Sequence, residues 1–244
     1  MPSRARKRKM RAHMGVPLID ARDLVRTYAM GGATEVFAVR GVSLSVDAGE
    51  FVALQGPSGS GKTTLLNLLG LLDRPDSGAL TVAGVDASGL SENARADMRR
   101  DRFGFVFQTF NLIPVLSARE NVEYPMAIAG RPASERKARA EDLLSTVGLA
   151  GKAGVRPDLL SGGQRQRVAI ARALANEPAV VFADEPTANL DSHTADGILE
   201  LMRRLCDASG VAFLFATHDP RVVEQARRVV ALHDGRIESD AVKG

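Results

Sequence analysis

Three short runs of this chain combine residue types that handle phosphate. The first is GPSGSGKTT, residues 56–64. Gly56, Pro57, Ser58, Gly59, Ser60, Gly61, Lys62 and Thr63 fit the pattern G-x-x-x-x-G-K-[ST] at every fixed position, and Thr64 follows. Glycines let successive backbone N–H groups curl around a phosphate, and a helix starting there adds its positive dipole end. Lys62 brings a cation to the β- and γ-phosphates, and the Thr63 hydroxyl is a ligand for Mg²⁺. Rival patterns fail. A dinucleotide fingerprint needs glycine where Thr64 stands, and a G-x-S-x-G nucleophile elbow needs it where Ser60 stands.

The second run is AVVFADEPTANLD, residues 179–191. It sets two adjacent carboxylates at the end of an apolar stretch. Asp184 suits Mg²⁺ through a water, and Glu185 suits the polarisation of an attacking water. By itself such a pair also reads as an ordinary surface loop. The third run is LSGGQ, residues 160–164, where Ser161, Gly162, Gly163 and Gln164 open a helical pattern. A serine-led, glycine-rich helix start holds an anion well. The chain thus carries two such starts about a hundred positions apart, and one nucleotide does not need both.

The elements that must position these runs follow from apolar patterning. FVALQ (51–55), AVVFA (179–183) and VAFLFAT (211–217) are short, nearly continuous apolar runs, as strands buried on both faces should be. Each ends in polar residues: 56–64, then Asp184 and Glu185, then His218 and Asp219. In open parallel sheets ligands bind beyond the carboxyl ends of the strands, so three strand ends indicate one site. His218 has a place there as a hydrogen-bond donor to a γ-phosphate, or as a plain strand-edge residue. Gln108 ends another apolar run, GFVFQ, and reads as a ligand for Mg²⁺ or water, or as loop. Tyr28 reads as a ring to stack on adenine, or as packing.

Helical patterns alternate with the strands, which indicates an α/β architecture. KTTLLNLLGLL (62–72) is expected as the helix after the phosphate loop. The region from about 109 to 163 lacks strand signals and contains SERKARAEDLLSTVGL, a charged amphipathic helix ending near Gly148. It reads as a helical insertion. Residues 18–50 have β character and should form a small antiparallel sheet.

Bulk properties set limits. Apolar residues make up 45% and charged residues 25%, the balance of a soluble globular protein. No run approaches the ~18–20 apolar residues that cross a bilayer. The net charge of +3 comes from the first 14 residues, which hold six Lys or Arg and no acid. The other 230 carry 26 basic and 29 acidic groups, so the body offers no basic nucleic-acid groove, and no nucleic-acid partner is expected. The basic leader, residues 1–16, is expected to be a disordered tail, with Met14 as an alternative start. The lone Cys206 excludes an internal disulfide and fits a reduced compartment.

Taken in chain order, these pieces resemble the nucleotide-binding subunit of ATP-binding-cassette (ABC) transporters over about residues 17–237. Tyr28 falls at the family's adenine-stacking aromatic, 56–64 at its phosphate loop and Gln108 at its Q-loop glutamine. LSGGQ falls at its signature, 179–185 at its acidic strand, ANLD (188–191) at its D-loop and His218 at its switch histidine. The resemblance implies a P-loop NTPase (RecA-like) α/β core with an N-terminal antiparallel β subdomain and a helical subdomain inserted at about 109–163, all within 17–244. It implies ATP and Mg²⁺ as cofactors, with Thr63, Gln108 and Asp184 around the metal, and Glu185, His218, Lys62 and Gln108 in catalysis. It also answers the question of the two helix starts. In this family two copies dimerise head to tail on ATP, so that Ser161, Gly162, Gly163, Gln164 and Asp191 of one copy serve the nucleotide of the other.

Finer wording, LLGLLDRPDSG and GFVFQTFNLIPVLSARENVEYPM, is similar to the branch serving lipoprotein release, macrolide export and cell division. That implies an ATPase motor held on the inner face of the membrane by an integral-membrane, permease-type partner. An ATP-gated cell-division scaffold and a soluble non-transport ATPase are the alternatives. Phe110, Leu112, Ile113, Leu116 and Tyr124 are expected either to form a groove for a cytoplasmic helix of that partner or to pack locally.

Overall fold

The computed structural model describes residues 16–30 and 34–243. The basic leader, apart from Val16, lies outside the described residues. In chain order the elements are β1 (Ile19–Met30), β2 (Thr34–Val46), β3 (Phe51–Gln55), α1 (Lys62–Leu69), β4 (Ser77–Val82), β5 (Val85–Asp86), α2 (Glu92–Arg102) and β6 (Phe103–Val106). There follow α3 (Ala118–Ile128), α4 (Ala133–Thr146), α5 (Gly162–Ala173), β7 (Val180–Asp184), α6 (Ser192–Ser209), β8 (Ala212–Thr217), α7 (Pro220–Gln225), β9 (Arg228–His233) and β10 (Arg236–Val242).

The strands form two sheets. One is antiparallel, in the order β2-β1-β4-β5; the other runs β10-β9-β3-β8-β7-β6. In the second sheet β9, β3, β8, β7 and β6 are parallel, and β10 closes one edge as an antiparallel hairpin with β9. Between β6 and β7 the chain forms α3, α4 and α5, with two short 3₁₀ turns at Ala150–Lys152 and Pro157–Leu159.

The central strands explain why their sequences are apolar without alternation. Phe51 and Ala53 of β3 face one core and Val52 and Leu54 the other, since successive side chains point to opposite faces. The first core joins Val181, Ala183, Phe213 and Phe215 to the buried faces of α3, α4, α5 and α6. The second joins Phe182 and Leu214 to α1 and the antiparallel sheet, through Leu65, Leu68, Leu69, Ile19 and Leu24. Cys206 is buried in the first core, where its thiol donates to the Gly49 carbonyl at 3.3 Å.

One helix is shorter than its apolar pattern. The run 62–72 predicts a helix to Leu72, but α1 stops at Leu69, with Gly70 as its C-cap. Leu71 follows at φ 57° and is still only 1% exposed. The chain turns there while keeping the leucine in the core, so apolarity alone misplaces the end. In contrast, α4 ends at Thr146, next to the expected stop.

Candidate nucleotide site

Strand register builds the site. Gln55 at the end of β3 pairs with Thr217 at the end of β8, and Ala216 of β8 pairs with Asp184 at the end of β7. Val106, which ends β6, pairs with Ala183. Four parallel strands therefore finish at one level, and their next residues are Gly56, His218, Glu185 and Phe107. An open cleft of about 710 Å³ lies there, lined by Tyr28, Val36, Ala38, Pro57, Ser58, Gly59, Gly61, Lys62, Thr63, Thr64, Gln108, Glu185 and His218.

The loop needs its glycines. Gly61 takes φ 97°, and a Cβ there would collide with the Ala38 carbonyl. A Cβ on Gly56 would strike the carbonyl of Leu232 and come within 2.6 Å of the Ser60 hydroxyl. Gly61 is also the N-cap of α1, and it gives the helix start no side-chain cap. The first-turn N–H groups of α1 are left for a ligand's oxygens. Ser60 is buried behind the loop, where its backbone carbonyl accepts from Gly235 at 3.1 Å. Lys62 is 7% exposed and donates to the carbonyls of Gly56 and Pro57 at 2.8 and 2.9 Å. Burial holds its ammonium below the ordinary lysine value, against the opposing pull of Glu185 and Asp184.

The acidic strand end meets this loop. The Thr63 hydroxyl donates to Asp184 Oδ1 at 3.0 Å. Burial pushes the Asp184 carboxyl up; the Thr63 bond and Lys62 pull it down, and neighbouring Glu185 adds to the rise. Glu185 adopts φ 45°, a left-handed conformation that costs a non-glycine residue about 1–3 kcal/mol. The position is held by its own N–H, which donates to Ala216 O at 2.9 Å. Its carboxylate then accepts from the Thr217 hydroxyl at 3.2 Å and meets His218 Nδ1 at 2.6 Å. The His218 side chain is exposed and Glu185 is nearly covered. The polar end of β8 thus fixes the carboxylate on the wall of the cleft.

The sequence alone gives no individual role to several residues that support this arrangement. Thr217 is one. Asp219 is another: it accepts from the Thr187 hydroxyl at 2.9 Å, pairs with Arg221 at 2.8 Å and caps α7. Burial works to raise its pKa, but the bonds from Arg221 and Thr187 outweigh it and hold the carboxyl low. The order Asp219-Pro220 at a helix start is a legible cap signal. Asn189 donates to the Gln108 carbonyl at 2.9 Å, which links the loop after β7 to that after β6. Just beyond Gln108, Phe110 and Asn111 take φ 62° and 47°, and Arg172 of α5 donates to both carbonyls. No local pattern announces that contact.

The structure does not bring every candidate into the cleft. Ser161, Gly162, Gly163, Gln164 and Asp191 lie elsewhere. Ser161 caps α5 in a reciprocal box with Gln164: its hydroxyl accepts from Gln164 N at 3.3 Å, and Gln164 Oε1 accepts from Ser161 N at 3.1 Å. Gly163 is buried, and a Cβ there would collide with the Thr194 methyl on the first turn of α6. Asp191 caps α6, accepting from Thr194 N at 3.0 Å, and that capping holds its carboxyl below the usual range. Two helix starts are therefore packed together, with Ser161 and Asp191 exposed.

An apolar groove lies in this region, but most of the residues expected to form one do not line it. A cavity of about 390 Å³ is bordered by Leu72, Phe105, Phe107, Tyr124, Pro125 and Ile128, with Arg99, Arg100 and Arg172 at its polar edge. Of the five residues expected there, only Tyr124 lines it. Phe110 is 9% exposed and Leu112 packs on the core, because an apolar run alone does not say which of its members turn inward. Among the described residues no helix is long and apolar enough to cross a membrane.

The family model described as ABC transporter matches residues 39–188. The pyoverdine export ATP-binding/permease protein PvdT of Pseudomonas aeruginosa is 51% identical over 226 residues, covering 93% of this chain and 34% of that protein. The macrolide export ATP-binding/permease protein MacB of Nitrosomonas europaea is 50% identical over 226 residues, again 93% and 34%. The chain spans about a third of the length of the curated relatives it matches. A solved dimeric, post-hydrolysis structure of the ATP-binding cassette MJ0796 bound to ADP and Pi superposes with a TM-score of 0.85 at 41% identity. That match covers 93% of this chain and 99% of the other.

Proposed function

The chain belongs to the ABC transporter family as one of its ATPase cassettes, and from that premise we propose that it is the motor of a membrane export or mechanotransmission complex. The observation that carries this reading is the register that sets the phosphate loop, Glu185 and His218 at one level.

In this reading the triphosphate lies along residues 56–64, held by backbone N–H groups, the start of α1 and Lys62. Tyr28, on the same cleft, stacks on the base. Glu185 orients and polarises the attacking water, and His218, bonded to Glu185, holds the γ-phosphate side. The hard oxygen donors of Thr63, Asp184 and Gln108 suit Mg²⁺, which usually takes one or two carboxylates and fills the rest of its shell with other oxygens, phosphate and water. Bound there, the ion neutralises charge on the β- and γ-phosphates.

Two copies work together. Ser161, Gly162, Gly163, Gln164 and Asp191 form the exposed second helix start, which serves the γ-phosphate of a facing copy. The dimeric form of MJ0796 supports this arrangement. A two-fold interface completes two sites at once, so closure depends on the γ-phosphate and ends with its loss.

The relatives named ATP-binding/permease proteins support a permease-type membrane partner. The groove at Leu72, Tyr124 and Ile128 is its docking place, and through it the chain sits at the inner face of the membrane. Tyr124 and Ile128 are 47% and 59% exposed, consistent with a surface kept for a partner. The cargo is a property of that partner.

The test is Glu185→Gln. MgATP binding should persist, turnover should fall about 10²–10⁴-fold, and a long-lived dimer should accumulate in light scattering. Wild-type turnover in that variant would remove Glu185 from its role.

A further inference from the structure

The Tyr28 ring does not stand alone at the edge of the cleft. Its hydroxyl donates to Asp73 Oδ2 at 2.5 Å, from a residue 45 positions away. The Arg26 guanidinium carbon lies 4.7 Å from the ring centroid, over one face. Arg26 also donates to the same Asp73 oxygen at 3.0 Å and to Asp76 at 2.8 Å. The Thr27 N–H donates to Asp76 Oδ2 at 2.6 Å, which fixes the β1 backbone beside the ring.

Asp73 is itself held from behind. Its backbone carbonyl accepts from Arg95 at 2.5 Å, and the Leu71 carbonyl accepts from Arg95 at 2.8 Å and Arg99 at 2.7 Å. Arg95 is 2% exposed, so the turn after α1 is anchored to the interior of the fold. Burial works to raise the Asp73 pKa, but the bonds from Tyr28, the Arg74 N–H and Arg26 hold it ionised. Neither Asp73 nor Arg26 lines the cleft.

We propose that Asp73 is a positioning residue of the nucleotide site: its carboxylate fixes the Tyr28 ring while Arg26 covers one face, leaving the other face for the base. The inference rests on reading Tyr28 as the base-stacking ring. A ring held before the ligand arrives does not lose its rotational freedom on binding, and that saving is worth about three- to tenfold in affinity. The cation over the covered face also favours that ring position.

The experiment uses the intact chain and two probes, MgATP and inorganic tripolyphosphate, which lacks a base. Tyr28→Ala should weaken MgATP about tenfold or more and leave tripolyphosphate unchanged. Tyr28→Phe removes only the hydroxyl, and Asp73→Asn only the charge. Each should weaken MgATP about threefold without moving tripolyphosphate. The double variant should match either single one within about a factor of two, because both weaken the same tie. In steady state Asp73→Asn should raise KM and spare kcat.

If Tyr28→Ala weakens MgATP but Tyr28→Phe and Asp73→Asn do not, the inference fails and base stacking stands. If Tyr28→Ala has no effect, stacking fails and takes the inference with it. Equal weakening of both probes by Asp73→Asn means a general structural role and overturns it. Should Asp73→Asn not fold, Tyr28→Phe decides alone: a base-selective loss supports the tie, and wild-type affinity refutes it.

Discussion

The two glycine-led helix starts, at α1 and α5, are built by opposite means. At α1 the N-cap is Gly61, in a left-handed conformation and with no side chain to fill the orphan N–H groups. At α5 the N-cap is Ser161, whose hydroxyl and the Gln164 amide satisfy two backbone donors reciprocally. The first start meets its own chain: Lys62 is buried, Thr63 reaches Asp184, and Glu185 and His218 line the same cleft. The second faces solvent at Ser161, with Asp191 capping the adjoining helix α6. A site that finds its chemistry in one chain is built rigidly around a glycine loop. If the second start serves a facing copy, as proposed above, it must be stable alone, and the capping box supplies that stability.

This contrast is broken most sharply at Lys62. Lys62→Ala removes a buried cation from the first start alone. The loss of charge-assisted hydrogen bonds should cost about 3 kcal/mol of MgATP binding, roughly a hundredfold, measurable by titration calorimetry. Unchanged affinity would mean that the loop is not where phosphate sits. The second start answers to a different variant. Ser161→Arg places bulk and charge at the exposed cap. One chain should keep its MgATP affinity, while the ATP-dependent dimer disappears from scattering and turnover falls about tenfold or more. The cap itself costs only about 1 kcal/mol of stability, so a folded variant is expected. Full turnover by Ser161→Arg would make the first site self-sufficient and the comparison empty.

How much of this was legible in the sequence depended on range. The phosphate loop, the acidic strand end and His218 are each contiguous runs, and their shared level follows from parallel strands of similar length. Long-range ties left no such mark. The Tyr28–Asp73 bond spans 45 positions and Arg172 reaches Phe110 across 62, and nothing within a local window distinguishes those side chains from solvated ones. Apolar runs misled in a related way. Leu71 continues the helical apolar pattern yet lies beyond the end of α1, and of the residues expected in the groove Leu112 packs on the core while Phe110 lies under the Arg165 guanidinium. Hydrophobicity reports that a side chain is turned away from water, but not which neighbour it is turned toward.

The smallest effect sharpens the comparison from the side of the first start, where rigidity comes from residues that never reach the cleft. Asp219 ties Thr187, just past Glu185, to Arg221 and the start of α7, just past His218. The carboxyl is held below the ordinary aspartate value, so its contribution is complete at neutral pH, above the unfolded-state pKa. It is lost as pH falls through the ordinary aspartate range toward the lower folded value. Asp219→Asn should therefore cost about 1–2 kcal/mol in urea unfolding at pH 7, and the gap from wild type should narrow as the medium is acidified. The same substitution should leave Ser161-dependent dimerisation largely intact, since the second start draws its order from its own capping box. A gap that stayed constant with pH would locate the effect in packing and not in the ionised carboxylate.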